Sequence, residues 1–163
     1  MSQPRPDPVQ PADDDARALA RDLLTNARHA ALAYTDPATG TPGISRIAFG
    51  IAPDGCPLTL VSSLAAHRPA LEQNPEAAVM VGEPGDKGDP LTHPRLMLRI
   101  TARPVNRAGA DYPALRDHWL AMHPKAKLYI DFPDFAFLRL EPKGALLNGG
   151  FARAFRLSPE DLR

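Results

Sequence analysis

The chain has 163 residues, with 19 basic and 19 acidic side chains and a formal net charge of zero. That length fits one domain able to bury about two-thirds of its unfolded surface, so no metal or disulfide staple is required. Zero balance argues against a general nucleic-acid binder. The single cysteine, Cys56, excludes an internal disulfide or a thiolate cluster, and no stretch is apolar enough for a membrane span or a signal core.

Prolines 4, 6, 8 and 11 crowd residues 1–12 without apolar periodicity, which predicts a disordered Pro-rich tail, with one domain over residues 13–163. Asp13, Asp14 and Asp15 supply a cap and favourable charge for a helix to about Asn26, since Ala16, Leu19, Ala20, Leu23 and Leu24 recur at helical spacing. The period then changes. Strands are expected at Ala30 to Thr35, Ile44 to Ala52 and Leu58 to Ser62, the last two joined by the Pro53-Asp54-Gly55 turn. A short helix follows over Pro69 to Gln73, then a strand over Ala77 to Val81 and a glycine-rich loop from Gly82 to His93.

Arg95 to Val105 alternates most clearly, with Leu96, Leu98, Ile100 and Ala102 on one face. A helix over Ala114 to Met122, a short one over Pro124 to Ile130, and strands over Phe135 to Glu141 and Ala145 to Asn148 complete the order. Six or seven strands with three or four helices imply a mainly antiparallel α+β barrel with flanking helices. Alanine makes up 26 residues, whereas Leu, Ile, Val and Phe total only 36, so the core is thin and self-association would enlarge it.

Most candidate chemistry dissolves on inspection. His118 and His123 are five residues apart, about 140° around a helix, so they do not share a face as zinc ligands do at four-residue spacing, and no metal site is expected. The loop from Gly82 to Gly88 lacks the Gly-Lys-Ser/Thr ending of a phosphate loop. The Arg46 strand is more informative. Beside Arg46 on the non-core face stand Ala48, Gly50 and Ala52, a flat shelf for a planar ligand whose anionic end meets the guanidinium. Val61, Ser62 and Ser63 then end the partner strand, and His67-Arg68 opens a helix, together a candidate phosphate site.

These segments resemble the FMN-binding split-barrel superfamily typified by pyridoxamine 5'-phosphate oxidase. The resemblance rests on Ser45-Arg46-Ile47-Ala48, on Val61-Ser62-Ser63, and on Ala66-His67-Arg68-Pro69-Ala70-Leu71 with Asn74-Pro75. The second half is similar to the haem-utilisation (HugZ-type) branch through Gly88-Asp89-Pro90-Leu91-Thr92, His123-Pro124, Arg139-Leu140-Glu141-Pro142 and Gly149-Gly150-Phe151-Ala152-Arg153-Ala154. The resemblance implies a split barrel that forms a homodimer with FMN at the subunit interface, hence an FMN-dependent oxidoreductase whose catalytic residues are unassigned. The single cysteine and the lack of an apolar signal core lead to the expectation of a cytoplasmic protein. Haem binding on the same barrel, or a non-catalytic ligand-binding role, is the alternative.

By the same resemblance Arg46, with Ser45, holds the flavin phosphate, and His67 and Arg68 stand where phosphate contacts occur. Val61, Ser62 and Ser63 form the strand end that meets the flavin, and Arg95 and Leu96 fall where the ring is touched. Leu96 replaces a glutamine common at that position. The arginine–histidine pair that grips pyridoxal phosphate in the true oxidase has no counterpart, which argues against that activity. The chain also ends at Leu162-Arg163, without the histidine-bearing extension of some haem-degrading relatives, so haem cleavage by that route is not expected.

Overall fold

A computed structural model describes residues 7–163. Helix α1 (Asp14–Asn26) starts where the aspartate run predicts, with the Asp13 carboxylate accepting the Ala16 N–H at 2.7 Å. That bond satisfies one of the orphan donors of the first turn. Ala16, Ala20 and Leu24 recur every four residues and are buried, so one stripe of α1 enters the core. Arg17 ties the helix to the end of the chain through Asp161, at 2.7 Å.

The strands are β1 (Val9–Pro11), β2 (His29–Thr35), β3 (Pro42–Ala48), β4 (Gly50–Ile51), β5 (Pro57–Ser62), β6 (Glu76–Val81), β7 (Arg95–Pro104), β8 (Phe135–Asn148) and β9 (Ala154–Leu157). Six follow one another round a barrel in the order β3-β2-β6-β7-β8-β5, with every ladder antiparallel. At the closing position β3 lies beside β5 without a ladder among the described residues. Thr59, fully buried on β5, bridges the gap by donating its hydroxyl to the Ala48 carbonyl at 2.6 Å. The barrel is therefore split along this seam, as expected for the fold class.

Strand β8 explains why the sheet divides. One edge pairs with β7 from Leu138 through Asn148, while the other edge is shared between β5, along Phe135–Arg139, and β9, along Ala145–Asn148. Between these partners Ile100 lies opposite Pro142 and Arg99 opposite Gly144, so Lys143 is an extra residue. Such a bulge bends a strand and accommodates a proline that cannot donate to the ladder. The two short strands expected over 135–141 and 145–148 are thus one bent strand, held continuous by β7.

The divided sheet has two apolar cores. Inside the barrel lie Leu32, Ile47, Val79, Leu98, Ile100 and Leu140. On the other face of β5 and β8, Leu58, Leu60 and Phe137 pack against Leu115 and Trp119 of helix α3 (Tyr112–Met122) and against Ile130. Strand β5 is consequently buried on both faces and reads as a nearly continuous apolar run. Helix α2 (His67–Gln73) packs on β2 at the barrel mouth.

Two boundaries differ from the sequence expectation. The stretch read as one strand from Ile44 to Ala52 breaks at Phe49, whose N–H leaves the ladder for the Arg28 carbonyl at 2.9 Å. Of the expected tail over 1–12, residues 1–6 lie outside the described residues. Val9, Gln10 and Pro11, however, pair in parallel with Ala154, Phe155 and Arg156. The open edge of β9 supplies this partner, and composition carries no trace of it. No helix among the described residues is long and apolar enough to cross a membrane.

Thr59→Val should leave the Ala48 carbonyl unpaired at the seam and lower stability by about 1–3 kcal/mol. Thr59→Ser, which keeps the hydroxyl, should lose less. Urea titration of the two variants measures the difference, and equal midpoints would show that the bond does not hold the seam.

Candidate functional site

Alternation along a strand sends successive side chains to opposite faces, and this separates several residues that the sequence places together. Arg46 projects from the outer face of β3, where it is exposed, paired in register with Ala31 and without an ion pair or hydrogen bond among the described residues. Ser45, its neighbour, lies opposite Leu32 on the inward face and so does not share Arg46's surroundings. The flat shelf expected beyond Arg46 is not open. Gly50 and Ala52 are covered by α3, and a Cβ on Gly50 would sit 2.8 Å from Met122 Cε and 3.2 Å from the Trp119 ring.

The end of β5 is pinned by a residue that the sequence did not single out. Asp134 accepts the Ser63 N–H at its carbonyl and the Ser62 hydroxyl at its Oδ2, both at 2.7 Å. Ser62 Oγ also accepts the Leu64 N–H at 3.1 Å. The Ser62 proton is therefore committed to a carboxylate and not free to donate to a cofactor. Ser63 is exposed, and its hydroxyl has no partner among the described residues. Val61 turns its side chain into the barrel core and offers only backbone. Neither serine caps α2, whose N-cap is Ala66 with no side-chain bond.

Consecutive residues on a helix diverge by about 100°, and His67 and Arg68 follow that rule. His67 is buried beside Tyr34, with ring centroids 6.2 Å apart, and its imidazole has no hydrogen bond among the described residues. Burial pushes its pKa below the ordinary histidine value. Tyr34 in turn lies over Gly43 of β3, where a Cβ would approach the ring to 2.6 Å. Arg68 points elsewhere. Its Nε bonds Glu72 Oε1 at 2.9 Å, and it lines a separate cleft with Ala102, Arg103 and Leu138. In the single chain Arg68 thus faces away from the outer face that carries Arg46.

Arg95 and Leu96 also part company. Leu96 is fully buried in the barrel core between Val81 and Leu147. Arg95 faces outward and donates to the Leu91 carbonyl at 3.0 Å. Three strand spacings, about 14 Å, separate its strand from Arg46 across β2 and β6. Of the expected set, the side chains of Arg46 on β3, Ser63 after β5 and His67 at the start of α2 have no hydrogen-bond partner among the described residues, Arg46 on the outer face and His67 beside the inward-facing Tyr34. Arg46 and Ser63 are exposed, whereas His67 is buried.

The remaining polar candidates have structural partners. His118 Nε2 lies 2.8 Å from the Ile51 carbonyl and His123 Nε2 lies 2.9 Å from the Phe49 carbonyl. Each Nε2 must carry the proton, because a carbonyl only accepts. The two histidines thus staple α3 to alternate carbonyls of the β4 segment, which explains their five-residue spacing. Trp119 stacks on His123 at 4.2 Å. Burial lowers the His123 pKa, with the Arg28 charge adding to the effect and the Phe49 bond opposing it. His93 accepts the Gly85 N–H at Nδ1, at 2.6 Å, and its Nε2 donates to the Lys87 carbonyl at 2.7 Å, fastening the 82–93 loop. Burial raises the Cys56 thiol, whose Sγ rests on the Pro57 carbonyl. No group of three potential metal ligands exists among the described residues.

Comparison with known proteins bears on this arrangement. A family model described as pyridoxamine 5'-phosphate oxidase matches residues 16–148. The chain is similar to non-canonical heme oxygenase HOZ, chloroplastic, of Arabidopsis thaliana. The two are 36% identical over 121 residues, covering 74% of this chain and 36% of that protein, so the chain spans about a third of the relative's length. Among solved structures it is similar to Atu2129 (unknown function) from Agrobacterium tumefaciens, at 37% identity and a TM-score of 0.80. That match covers 93% of this chain and 61% of the other. A heme binding protein from Mycobacterium smegmatis is similar at 27% identity and a TM-score of 0.82, with the same two coverages.

His67 and His123 are held neutral by the fold, while the unfolded chain protonates them near the ordinary value of about 6.5. Stability should therefore be full above about pH 6.5 and fall below it, because the unfolded state then binds more protons. Urea midpoints at pH 7.5, 6.5 and 5.5 should decline in that order, and His123→Gln should flatten the decline. A midpoint that rises on acidification would contradict the assignment.

Proposed function

Because the chain belongs to the pyridoxamine 5'-phosphate oxidase family, we propose that it binds FMN at the β3–β5 seam of a homodimer and acts as an FMN-dependent oxidoreductase on a small substrate. The observation that carries this reading is the donor set left uncommitted at the seam. The side chains of Arg46, Ser63 and His67 have no hydrogen-bond partners among the described residues, and a guanidinium, a hydroxyl and an imidazole are the groups that suit a phosphate. A guanidinium meets phosphate oxygens through two parallel N–H bonds, while the hydroxyl and the imidazole add single ones. Asp134 would hold the Val61–Ser62–Ser63 backbone in position beside the ring. When bound, flavin supplies the redox chemistry, and the protein's part is grip, orientation and exclusion of water.

The open surface around Arg46 is the reason for proposing a dimer. On the outer face of β3, β2, β6, β7 and β8 lie Ile44, Ala31, Ala33, Met80, Met97 and Leu146, an apolar band without a covering helix. Ile44 is 77% exposed and Met80 44%. Contiguous exposed apolar surface of this kind marks an interaction site, and a second copy would also enlarge the thin core. Arg95 stands on that same outer face, so Arg95 of a second copy could approach the Arg46 of the first. Within one chain it cannot.

A second reading is haem binding on the same barrel, consistent with relatives on the haem-utilisation side of the family. It is favoured by His67, whose buried and neutral imidazole is not engaged elsewhere. Both ring nitrogens of His93 and the Nε2 of His118 and of His123 are hydrogen-bonded, and His29 lies 3.6 Å from Glu83. A neutral imidazole nitrogen is the form that ligates iron.

Ligand extracted from native protein and identified by absorbance and mass separates the readings. In flavin titration, Arg46→Ala should weaken FMN binding about tenfold or more, the cost of one charge-assisted contact. Unchanged affinity would remove the phosphate from this seam. A Soret band on haem titration that His67→Ala abolishes, without flavin competition, would select haem instead. Sedimentation should show a dimer that Ile44→Glu dissociates, and a native monomer would overturn the shared site.

A further inference from the structure

We propose that the cleft between α2 and the far ends of β7 and β8 is a second binding site, separate from the seam, for a small carboxylate with an apolar body. The cleft measures about 280 Å³, small beside most ligand pockets. Its floor is the barrel core itself, formed by Leu71, Ala102 and Leu138, each no more than 5% exposed. Pro75 and Pro104 add to an apolar wall. Two arginines, Arg68 and Arg103, stand at its border.

The charge arrangement gives the ligand class. Arg68 spends its Nε on Glu72, at 2.9 Å, and Arg103 spends its Nε on Glu141, at 3.3 Å. Both acids are half or more exposed and remain solvated. Arg68 Nη1, in contrast, is buried and has no hydrogen-bond partner among the described residues. Buried polar atoms are nearly always paired, so Arg68, which lines the apolar cleft, keeps an unpaired nitrogen that a ligand acceptor could take up on a small shift of the side chain. A guanidinium prefers a planar acceptor with two oxygens. The lining is two arginines against one acid, Glu72, which favours an anion. A phosphate would leave the apolar floor unused, whereas a carboxylate on a short hydrocarbon or aromatic body would satisfy both.

Arg68 reaches this cleft because it sits one helical step from His67, which faces Tyr34 at the barrel mouth. The two sites are thus served by adjacent residues pointing in different directions, and binding at one does not require the other.

Benzoate is a suitable probe, followed by saturation-transfer NMR and by chemical shifts of the Arg68 guanidinium in the full chain. Saturable binding is expected. Arg68→Gln should weaken it at least tenfold and Arg103→Gln by a smaller factor, while Arg46→Ala should leave it unchanged. Thermal melts followed through Trp119 fluorescence establish that each variant is folded. Should Arg68→Gln not fold, Arg68→Lys tests the same point, because it keeps the charge and loses the planar fork. Absence of saturable binding, or binding insensitive to Arg68, would overturn the proposal. Displacement of benzoate by equimolar inorganic phosphate would overturn the carboxylate assignment. Benzoate binding lost with Arg46→Ala would place it at the seam instead.

Discussion

The fold depends on the division of one strand edge. β8 has fourteen residues and keeps a single neighbour, β7, along one side. Its other side is given first to β5 and then to β9, with the bend at Pro142–Gly144 between them. Because β5 takes only the first part, it leaves the plane of the remaining sheet and gains a second apolar face, which α3 covers. β3, paired on its other side with β2, is then left beside β5 without a ladder among the described residues, and the Thr59 hydroxyl crosses the gap. The seam is therefore a consequence of β8, and the seam is where polar side chains stand without partners.

Helix α3 matters to that seam in an indirect way. Its two histidines take the outward carbonyls of Phe49 and Ile51, so the β4 segment is tied to the helix. Met122 and Trp119 fill the space over Gly50. Together these contacts close the part of the strand beyond Arg46 and leave Arg46 itself at the border of the covered region. Asp134, arriving from the loop that precedes β8, fixes the β5 end from the opposite side. Residues with no cofactor contact thus decide which polar groups remain available.

A flat, unpartnered site is an incomplete one. Arg46 stands exposed on the outer face of β3 without a partner among the described residues, whereas the clefts beside the β4–β5 turn are bordered by the Asp54–Arg139 ion pair. A single barrel with an apolar outer face and uncommitted donors at its edge is understandable as half of a symmetric assembly, in which each copy supplies the wall that the other lacks. The same reasoning separates Arg68 from the seam, since its cleft is closed within one chain and needs no second copy.

What the sequence determined by itself was the order of elements and the class of barrel. Asp13 caps α1, Leu96 to Ala102 alternate inward, and the pattern of strands and helices along the chain survives nearly intact in the structure. These features are local, fixed by periodicity and turn chemistry within about ten residues. The sequence also brought out Arg46 and His67, because unusual residue types beside a strand and a helix start are visible without coordinates. Tertiary structure alone decided which neighbours cooperate. Ser45, Val61 and Leu96 turned inward, the Ser62 proton went to Asp134, Arg68 rotated into another cleft, and Val9–Pro11 found an edge on β9. Each of those outcomes depends on a partner 70 or more residues away or on the face a residue is given, and a local pattern encodes neither.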